Sequence, residues 1–226
     1  MTGPTPVVYF DLDGTLLDVR PRYYALHSHI AGLLGLPPGA SEAFWHLKRA
    51  RAPTSELLAG LPPSDIETYD RLWLELIEDP AFTRLDIALP GAIEALRCLD
   101  TVTEPVLLTL RRDGGEVRRQ LRELSFEHFF REVLVSGDHP ALQRSKRSLV
   151  RLSDRVRRRD ALLVGDTEED AAAAQSLDIP FIAVSSGLRD SALLQEMKPY
   201  RIIESVATLP EVFRSLYSVA TERRLT

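Results

Sequence analysis

The chain has 226 residues, of which 44% are hydrophobic and 27% are charged, and its formal net charge is −5. This length and composition allow the buried core of one large domain, or of a domain that carries an insertion, and they exclude a disordered chain. The acidic balance gives no reason to expect nucleic acid as a partner, and no apolar run approaches the roughly 20 residues that span a bilayer, so no membrane partner is expected either.

Short apolar runs of β-prone residues recur along the chain and are separated by segments with helical periodicity. The first run, Val7–Phe10, stops at acidic and glycine residues, as a strand buried on both faces of a parallel sheet does. Further strands are predicted at 105–108, 132–135, 161–164 and 181–184, with a weaker pattern at 201–203. Helices are predicted at 115–124, 145–158, 168–177 and 206–217. This alternation favours right-handed crossovers, and hence a doubly wound, Rossmann-like parallel α/β sheet.

Between about residues 20 and 87 the alternation is interrupted. This stretch holds no convincing strand but has helical patterns at 23–34, 41–50 and 64–78. Ser64 is the expected N-cap of the third helix. We therefore predict an all-helical insertion, residues 18–88, in an α/β core that is formed by residues 1–17 and 89–226.

For three bulky or reactive side chains the sequence predicts a role in packing rather than in chemistry. Trp45 and Trp73 fall in the helical insertion and are expected to pack in a core. The single cysteine, Cys98, lies in a helical pattern and is expected to be a small core or boundary residue. One cysteine cannot form an internal disulfide, which suits a reducing compartment, and the N-terminus lacks the basic and apolar regions of a signal peptide. A cytoplasmic location is therefore expected.

Residues 144–159 carry eight basic side chains and a single acid. A solvated helix face explains this pattern, because Leu149, Leu152 and Val156 mark an apolar stripe that would turn the arginines outward. A positive field around an anionic substrate is the alternative. We favour the solvated face for most of the arginines, with Lys146 as the exception.

Four polar sites stand at the predicted carboxyl ends of strands or at helix starts. They are Asp11-Leu12-Asp13-Gly14-Thr15 after the first strand, Thr109 at the end of the second, Lys146 at the start of a helix, and Gly165-Asp166-Thr167-Glu168-Glu169-Asp170 after the fourth strand. In an open parallel sheet such positions converge on one crevice. We therefore expect these side chains to surround a single site.

Asp11 and Asp166, with Asp170 as a third candidate, form an acidic cluster that offers only oxygen ligands. Such ligands select Mg²⁺ rather than Zn²⁺. Carboxylates that lie close together repel each other, and a bound metal removes that penalty and leaves one of them ionised and nucleophilic. The alternative explanations are structural: Asp11 would belong to a turn that ends a strand, and Asp166 would be an N-cap.

The remaining polar groups suit phosphoryl transfer. Asp13 can swing toward a leaving group, protonate the departing oxygen and later activate water, although its spacing from Asp11 does not by itself decide this role. Thr109 can donate its hydroxyl hydrogen, the backbone N–H of Leu110 lies beside it, and Lys146 adds a point charge. Together with the metal these groups would stabilise a phosphoryl group in flight, which is usually the largest catalytic contribution.

The order Asp-x-Asp-Gly-Thr, then Thr, then Lys, then Gly-Asp-Thr-x-x-Asp resembles the haloacid dehalogenase-like superfamily. The first motif, placed after an apolar strand, is the most specific part, and the insertion that follows it resembles the type-1 cap of that family. Two positions depart from the commonest pattern. Thr109 is followed by Leu-Arg-Arg, where Asn or Gly is frequent, and Lys146 lacks the proline that commonly follows the lysine, so its helix start could shift by one residue.

The resemblance implies a role for each matching residue. Asp11 would be the nucleophile and Asp13 the general acid and base. Thr109, Leu110 and Lys146 would bind the phosphoryl group. Asp11, the backbone carbonyl of Asp13, and Asp166 would bind Mg²⁺, and Gly165 and Asp170 would support the site.

These features predict a Mg²⁺-dependent hydrolase that acts on a small phosphorylated metabolite through an aspartyl-phosphate intermediate. A sugar-phosphate mutase shares both aspartates and is the nearest alternative; a dehalogenase lacks the second aspartate. A non-catalytic phospho-acceptor module, like a response-regulator receiver, is the alternative from another class, but it has no place for the long insertion. Arg20, Arg22 and Arg111 could grip a second anionic group on the substrate, and surface ion pairing explains them equally well.

Overall fold

The computed structural model of the chain describes residues 5–58, 60–155 and 160–223, and side chains as far as residue 217. Six parallel strands form one sheet in the order β5-β4-β1-β6-β7-β8, and two short strands pair separately. The strands are β1 Val7–Phe10, β2 Leu17–Asp18, β3 Ile87–Ala88, β4 Glu104–Thr109, β5 Glu132–Val135, β6 Ala161–Gly165, β7 Phe181–Val184 and β8 Arg201–Ile203. All six strands predicted for the main sheet are present, and the predicted fold class is confirmed.

Helices flank both faces of this sheet and fill the insertion. They are α1 Arg20–Leu33, α2 Ser41–Arg49, α3 Thr54–Leu57, α4 Pro63–Leu76, α5 Pro80–Thr83, α6 Ala92–Asp100, α7 Gly114–Glu123, α8 Lys146–Leu149, α9 Glu168–Leu177, α10 Ser191–Glu196 and α11 Leu209–Arg223. Short 3₁₀ turns lie at Glu127–Phe129, Ser136–Asp138, Val150–Leu152 and Val206–Thr208. None of the helices in the described ranges is long and apolar enough to cross a membrane.

The central strand β1 is buried on both faces. Val8 and Phe10 pack in one core cluster with α6, α7 and α11, whereas Val7 and Tyr9 pack in a second cluster with α8, α9 and α10. Because successive side chains of a strand point to opposite faces, both faces of β1 must be apolar, which explains its unbroken apolar run. The strand pairs with β4 on one side and β6 on the other. Its carboxyl end therefore lies at the middle of the sheet, where the strand order reverses.

The core cluster around α6 gives a direct test of this packing. Leu96 has no exposed surface and belongs to the cluster, whereas Leu33 in α1 is 62% exposed. We expect Leu96→Ala to lower the free energy of unfolding by about 2–5 kcal/mol, because it removes buried methyl groups and leaves a cavity. Leu33→Ala should change it by less than about 0.5 kcal/mol. Urea titrations of both variants measure this, and equal losses would show that α6 does not face the core as described.

In the described parts of the segment between β2 and β3 there are five helices. The two strands pair antiparallel, with Leu17 opposite Ala88 and Asp18 opposite Ile87. We call this pair the β2–β3 ribbon. The prediction of no strand between residues 20 and 87 was wrong at Ile87, because a two-residue strand is too short to show a periodic pattern. The described insertion is otherwise helical and has its own small cluster around Leu26, Ile30, Leu58 and Tyr69.

The helix predicted at 64–78 begins earlier than expected and corresponds to α4. Pro62 rather than Ser64 is the N-cap of α4, and Pro63 occupies the first helical position. Proline is favoured at the first helical position because an N–H there would have no partner within the helix, and because the fixed φ of proline suits a helix. The prediction of Ser64 as N-cap was therefore wrong.

The predicted helix at 145–158 is also wrong. Ser145 caps α8 by accepting from the N–H of Ser148, but the helix ends at Leu149. The 3₁₀ turn after it ends at Leu152, and Ser153 has extended backbone. Leu149 is buried and Leu152 is 41% exposed, so they do not form one stripe. Val156 and the rest of 156–159 lie outside the described residues. The solvated interpretation holds for Arg147 and Arg151, which are exposed.

Two basic side chains of this segment make specific contacts instead. Arg155 pairs with Glu132 and, at 2.6 Å, with Glu104, and so joins the segment to two strands of the sheet. Arg144 donates from Nη2 to the backbone oxygen of Leu110 at 2.8 Å. The basic run is therefore not a uniform solvated face.

Cys98 is exposed, which corrects its prediction as a core or boundary residue. The buried face of α6 consists of Ala92, Ala95, Leu96 and Leu99. Cys98 precedes Leu99 by one position, and one residue turns a helix by about 100°, which places the thiol outside the apolar stripe.

Candidate active site

The four predicted polar sites meet at the carboxyl edge of the sheet. Asp11 follows β1 directly, Thr109 is the last residue of β4, and Asp166 follows β6. Lys146 begins α8, so the one-residue shift that its sequence context allowed does not occur. A cavity of about 240 Å³ opens at this edge. Its lining includes Asp11, Asp13, Thr109, Leu110, Arg111 and Lys146.

The acidic cluster is compact and buried. Asp11, Asp166 and Asp170 each offer a carboxylate oxygen, and these oxygens lie within 4.8 Å of one another. The ammonium of Lys146 contacts Asp11 and lies 2.6 Å from Asp170 Oδ1. All four residues are no more than 5% exposed. One ammonium against three carboxylates leaves an excess of negative charge in a site that is shielded from water.

The pKa values reflect this excess. Burial raises the pKa of Asp11 well above its usual range; Lys146 opposes the rise, and the other two carboxylates add to it. Burial, and next the charge of Asp170, raises the pKa of Asp166 to about 7. Burial alone would lower the pKa of Lys146, but Asp11 and Asp170 hold it above its ordinary value. A further positive charge would restore the ionised form of both raised carboxyl groups.

The surroundings of Asp166 fit a divalent cation. Its Oδ2 accepts the backbone N–H of Leu188 at 2.5 Å, whereas its buried Oδ1 has no hydrogen-bond partner. A Cβ at Gly14 or Gly187 would lie only 2.2 Å or 1.9 Å from Oδ2, so both positions need glycine for the chain to close around this carboxylate. A buried carboxylate oxygen without a donor is costly unless a cation binds it. The donor set contains only oxygen atoms, as Mg²⁺ prefers.

Asp170 has both oxygens occupied. Oδ1 accepts from Lys146, and Oδ2 accepts from the backbone N–H and the hydroxyl of Thr167 at 3.1 and 2.7 Å, in a capping box at the start of α9. A Cβ at Gly165 would lie 2.1 Å from Asp170 Cγ, so only glycine lets this carboxyl approach β6. Asp170 is thus both the third residue of this capping box and a partner of Lys146. Thr167 rather than Asp166 is the N-cap of α9, so the structural alternative for Asp166 was wrong.

Thr109 and Leu110 lie beside the acidic cluster. Thr109 is 1% exposed, and its hydroxyl oxygen accepts the backbone N–H of Arg111 at 3.3 Å. Arg144, which also lines the cavity, donates to the backbone oxygen of Leu110. The peptide that follows β4 is therefore fixed in position next to Asp11 and Lys146.

Asp13 is turned away from the acidic cluster and toward two arginines. Arg111 donates from Nε to Asp13 Oδ2 and from Nη2 to Oδ1, both at 2.6 Å, and Arg22 Nη2 donates to Oδ1 at 2.9 Å. Burial would raise the pKa of Asp13, but Arg111 and then Arg22 hold it below its usual range. Asp13 is therefore a fixed, ionised carboxylate in this structure.

Both arginines also contact Asp86, which precedes β3. Arg22 Nε lies 3.1 Å from Asp86 Oδ1, and Arg111 Nη2 lies 3.0 Å from Oδ2. Burial raises the pKa of Asp86 to about 6, against the opposing effect of the arginines. Arg22 and Arg111 are 1% and 4% exposed, so surface ion pairing does not explain them.

Arg20 differs from these two arginines. Its side chain is 57% exposed and pairs with Asp18 at 2.5 Å, and it does not line the central cavity. Surface ion pairing explains it.

Several lining residues were not predicted from the sequence. Asp86, which contacts both arginines behind the cavity lining, was not predicted either, because it is a lone acid at the end of a helical stretch and no motif marks it. Tyr23 and Trp73 line the cavity with their ring centroids 5.3 Å apart, so Trp73 is part of the cavity wall as well as of the helical packing. Only their position in the insertion could have suggested this.

The insertion also contacts the loop whose Leu188 N–H donates a hydrogen bond to Asp166. Arg49, at the end of α2, donates to the backbone oxygens of Ser185 and Arg189 at 2.7 and 2.9 Å. The same loop carries Leu188, whose N–H binds Asp166. The helical segment and the acidic cluster are therefore connected through one loop.

Known proteins resemble this chain over most of its length. The sequence model of the haloacid dehalogenase-like hydrolase family matches residues 5–178. A phosphoglycolate phosphatase of Rhodobacter capsulatus is 26% identical over 198 residues, which cover 83% of this chain and 88% of that protein. The phosphoglycolate phosphatase of Agrobacterium fabrum is 27% identical, and the match covers 95% of each chain. A solved structure of a haloacid dehalogenase-like hydrolase from Streptococcus pneumoniae has a TM-score of 0.73 at 19% identity and covers 92% of this chain and 98% of that one.

The fold, the acidic crevice and the family match define the class: the chain belongs to the haloacid dehalogenase-like hydrolase family. Within this family the chain is an enzyme, a phosphatase. The resemblance drawn from the four motifs is confirmed.

Proposed function

We propose that the chain is a Mg²⁺-dependent phosphate monoester hydrolase that acts on a small phosphorylated metabolite through an aspartyl-phosphate on Asp11. The main support is the position of Asp11: its carboxylate lies at the carboxyl end of the central strand, in contact with Lys146 and beside Asp166. The printed names of the relatives make 2-phosphoglycolate the first substrate to test.

The proposed reaction has two displacements at phosphorus. In the first, Asp11 forms a bond to phosphorus and the bond to the ester oxygen breaks. Asp13, which Arg111 and Arg22 hold ionised in this structure, must first leave these arginines and take up a proton from solvent, which it then gives to the departing oxygen. In the second, Asp13 takes a proton from water, the water oxygen attacks phosphorus, and the bond to Asp11 breaks, which releases phosphate. Thr109, the N–H of Leu110 and Lys146 hold the phosphoryl oxygens throughout.

Asp11, Asp166 and the backbone carbonyl of Asp13 would hold Mg²⁺, with Asp170 and Gly165 supporting Lys146. When bound, the cation offsets the charge of the phosphoryl group and keeps Asp11 ionised. The unpartnered oxygen of Asp166 and the excess of buried carboxylates support this assignment.

We further propose that residues 18–88 act as a cap over a core that consists of residues 1–17 and 89–226. Tyr23 and Trp73 of the insertion form one wall of the cavity. Arg49 of the insertion donates hydrogen bonds to the loop whose backbone N–H binds Asp166. A cap in this position would exclude water during phosphoryl transfer and supply contacts to the substrate.

Hydrolysis of p-nitrophenyl phosphate with and without Mg²⁺ tests the proposed function. We expect turnover that EDTA stops and Mg²⁺ restores. Mg²⁺ at about 100 times its dissociation constant should stabilise the fold by about 2.7 kcal/mol, or roughly 5–10 °C in the unfolding midpoint. Because Asp166 must lose its proton to bind a cation, this shift should be larger at pH 8 than at pH 6.

Asp166→Asn should remove both the midpoint shift and the turnover, since it replaces the charged ligand by a neutral one of the same shape. Asp100→Asn is the matched control, because Asp100 is a partly exposed carboxylate that pairs with Arg131 at 2.7 Å, away from the cavity. Turnover that does not depend on Mg²⁺ would contradict the proposal. Interconversion of hexose phosphates without phosphate release would indicate a mutase.

A further inference from the structure

Glu78 of the insertion contacts two arginines that lie outside the insertion. It lies between α4 and α5, lines the cavity, and has a side chain that is only 10% exposed. Its Oε2 accepts the backbone N–H of Arg112 at 2.6 Å, and its Oε1 lies 3.1 Å from Arg112 Nε and 3.5 Å from Arg144 Nη2. Both carboxylate oxygens are therefore bound by the chain itself, so Glu78 is not arranged to bind a substrate directly.

The same contacts hold the chain segment that follows β4. After the N–H of Leu110, the next four backbone groups, as far as the N–H of Arg112, each have a hydrogen-bond partner at 2.6 to 3.3 Å. In chain order these partners are Arg144, Thr109, Gly137 and Glu78. Glu78 binds the last of the four groups directly, and it also contacts Arg144, the partner of the first.

Glu78 thus acts on the orientation of the Leu110 N–H, which the proposed mechanism assigns to the phosphoryl group. The sheet fixes the amino side of this peptide, because Thr109 is the last residue of β4. On its carboxyl side the orientation depends on Arg144 and Glu78. A donor stabilises a phosphoryl group most when it is oriented before the ligand arrives, since no reorganisation then opposes binding. Loss of Glu78 would leave the Leu110 N–H less well oriented.

The charge of Glu78 and its contacts have opposite effects on phosphate binding. A carboxylate in the lining of the cavity repels a phosphate anion, so removal of its charge should by Coulomb's law alone tighten phosphate binding. Loss of its contacts with Arg112 and Arg144 should instead weaken phosphate binding, because the Leu110 N–H is then less well oriented. The two effects differ in sign, so a single substitution distinguishes between them.

We propose that Glu78 is a positioning residue, which through Arg112 and Arg144 holds the Leu110 N–H in the orientation that binds a phosphoryl oxygen. Glu78 belongs to the insertion, whereas Leu110 does not. Binding of the phosphoryl group and placement of the insertion over the cavity therefore favour each other, and this coupling is the same in both directions. The inference rests on the proposed phosphatase function and adds to it a residue that no sequence motif marks.

Glu78→Gln tests the role of the charged contacts. Glutamine keeps the length of the side chain and one oxygen acceptor, but it loses the negative charge that the two arginines contact. We expect the Ki of inorganic phosphate, as a competitive inhibitor of p-nitrophenyl phosphate hydrolysis at saturating Mg²⁺, to rise by about 5-fold or more. KM should rise by a similar factor and kcat should change by less than about 3-fold, because the Leu110 N–H holds the phosphoryl group before and during the reaction.

Glu75→Gln is the matched control for this substitution. Glu75 precedes Glu78 by three residues, and its exposed side chain pairs with Arg71 at 3.4 Å. This variant should keep the Ki of phosphate and the KM of the unmodified enzyme. Thermal melting of both variants shows whether they fold.

Hydrogen exchange measures the coupling separately, in the unmodified chain. Inorganic phosphate with Mg²⁺ should slow the exchange of backbone N–H groups in residues 77–83, relative to Mg²⁺ alone, because phosphate binding favours the placement of Glu78. In Glu78→Gln this slowing by phosphate should be lost. A role in stability alone would instead change the exchange rates equally with and without phosphate.

The outcomes separate this inference from the proposed function. An unchanged or lower Ki of phosphate in a folded Glu78→Gln variant would overturn the positioning role and leave the phosphatase function standing. A fall in kcat without a change in KM would also overturn it. If the variant does not fold, exchange in the unmodified chain decides, and exchange at residues 77–83 that phosphate does not slow would overturn the coupling. Failure of the unmodified chain to hydrolyse p-nitrophenyl phosphate would overturn the proposed function and this inference with it.

Discussion

Replacing Asp11 by asparagine is expected to lower phosphatase turnover by at least about four orders of magnitude, since loss of a nucleophile removes the covalent route altogether. Asparagine has the same shape but cannot form the acyl phosphate. The buried carboxyl of Asp11 is costly to ionise, and its pKa is raised for that reason. The variant should therefore fold at least as stably as the unmodified chain. Phosphate release from p-nitrophenyl phosphate and thermal melting measure the two effects.

Asp100→Asn is again the control for this substitution, and it should retain full turnover. Mass spectrometry of enzyme quenched during turnover should find a phosphorylated peptide that contains Asp11 in the unmodified chain and none in the variant. Residual turnover above about one percent in a stably folded Asp11→Asn variant would show that another group attacks phosphorus.

Asp13→Asn is expected to slow the second displacement at phosphorus much more than the first. p-Nitrophenolate leaves without a proton, so the first displacement should persist, whereas the second needs a base to activate water. We expect one equivalent of p-nitrophenolate in a rapid burst, followed by turnover about 10²- to 10⁴-fold slower than that of the unmodified enzyme. Alkyl phosphates, which need a proton on the leaving oxygen, should show no burst. Rapid mixing with optical detection measures both.

Asp86→Asn is the matched control for this effect, because it removes the other carboxylate that contacts Arg22 and Arg111. Either substitution leaves two buried arginines with one carboxylate and is expected to cost stability. Only Asp13→Asn should produce the burst, since Asp86 does not line the cavity. A burst in both variants, or in neither, would contradict the assignment of Asp13 as the acid and base.

The sheet could be predicted from the sequence because its strands are buried on both faces. Val7–Phe10 has apolar side chains at every position, and both neighbours of this strand, β4 and β6, show the same pattern. The long helix predicted at 145–158 failed because arginine and leucine spacing alone suggested it. The local backbone instead ends α8 at Leu149 and becomes extended at Ser153.

The site residues that directly follow or end a strand could be predicted from the sequence. Asp11, Thr109 and Asp166 stand at the ends of strands, and the ends of parallel strands meet at one edge of a sheet. The partners of Asp13 were not predictable in this way. Arg22 and Asp86 come from the two ends of the insertion, and they meet only because the β2–β3 ribbon brings those ends together. The sequence suggested Arg22 and Arg111 as anion contacts but gave no sign that they bind Asp13.

The β2–β3 ribbon has a consequence for how this architecture can diversify. In the proposed division into cap and core, the chain leaves the core after Leu17 and returns to it after Ala88, and these two residues are direct neighbours in the ribbon. The segment between these two residues therefore begins and ends at positions that the antiparallel pairing holds a fixed, short distance apart. A change in the length or packing of this segment does not alter the register of the strands in the main sheet. The side chains of the proposed cap that face the substrate can therefore change without displacing Asp11, Thr109 or Asp166, which follow or end strands of the main sheet.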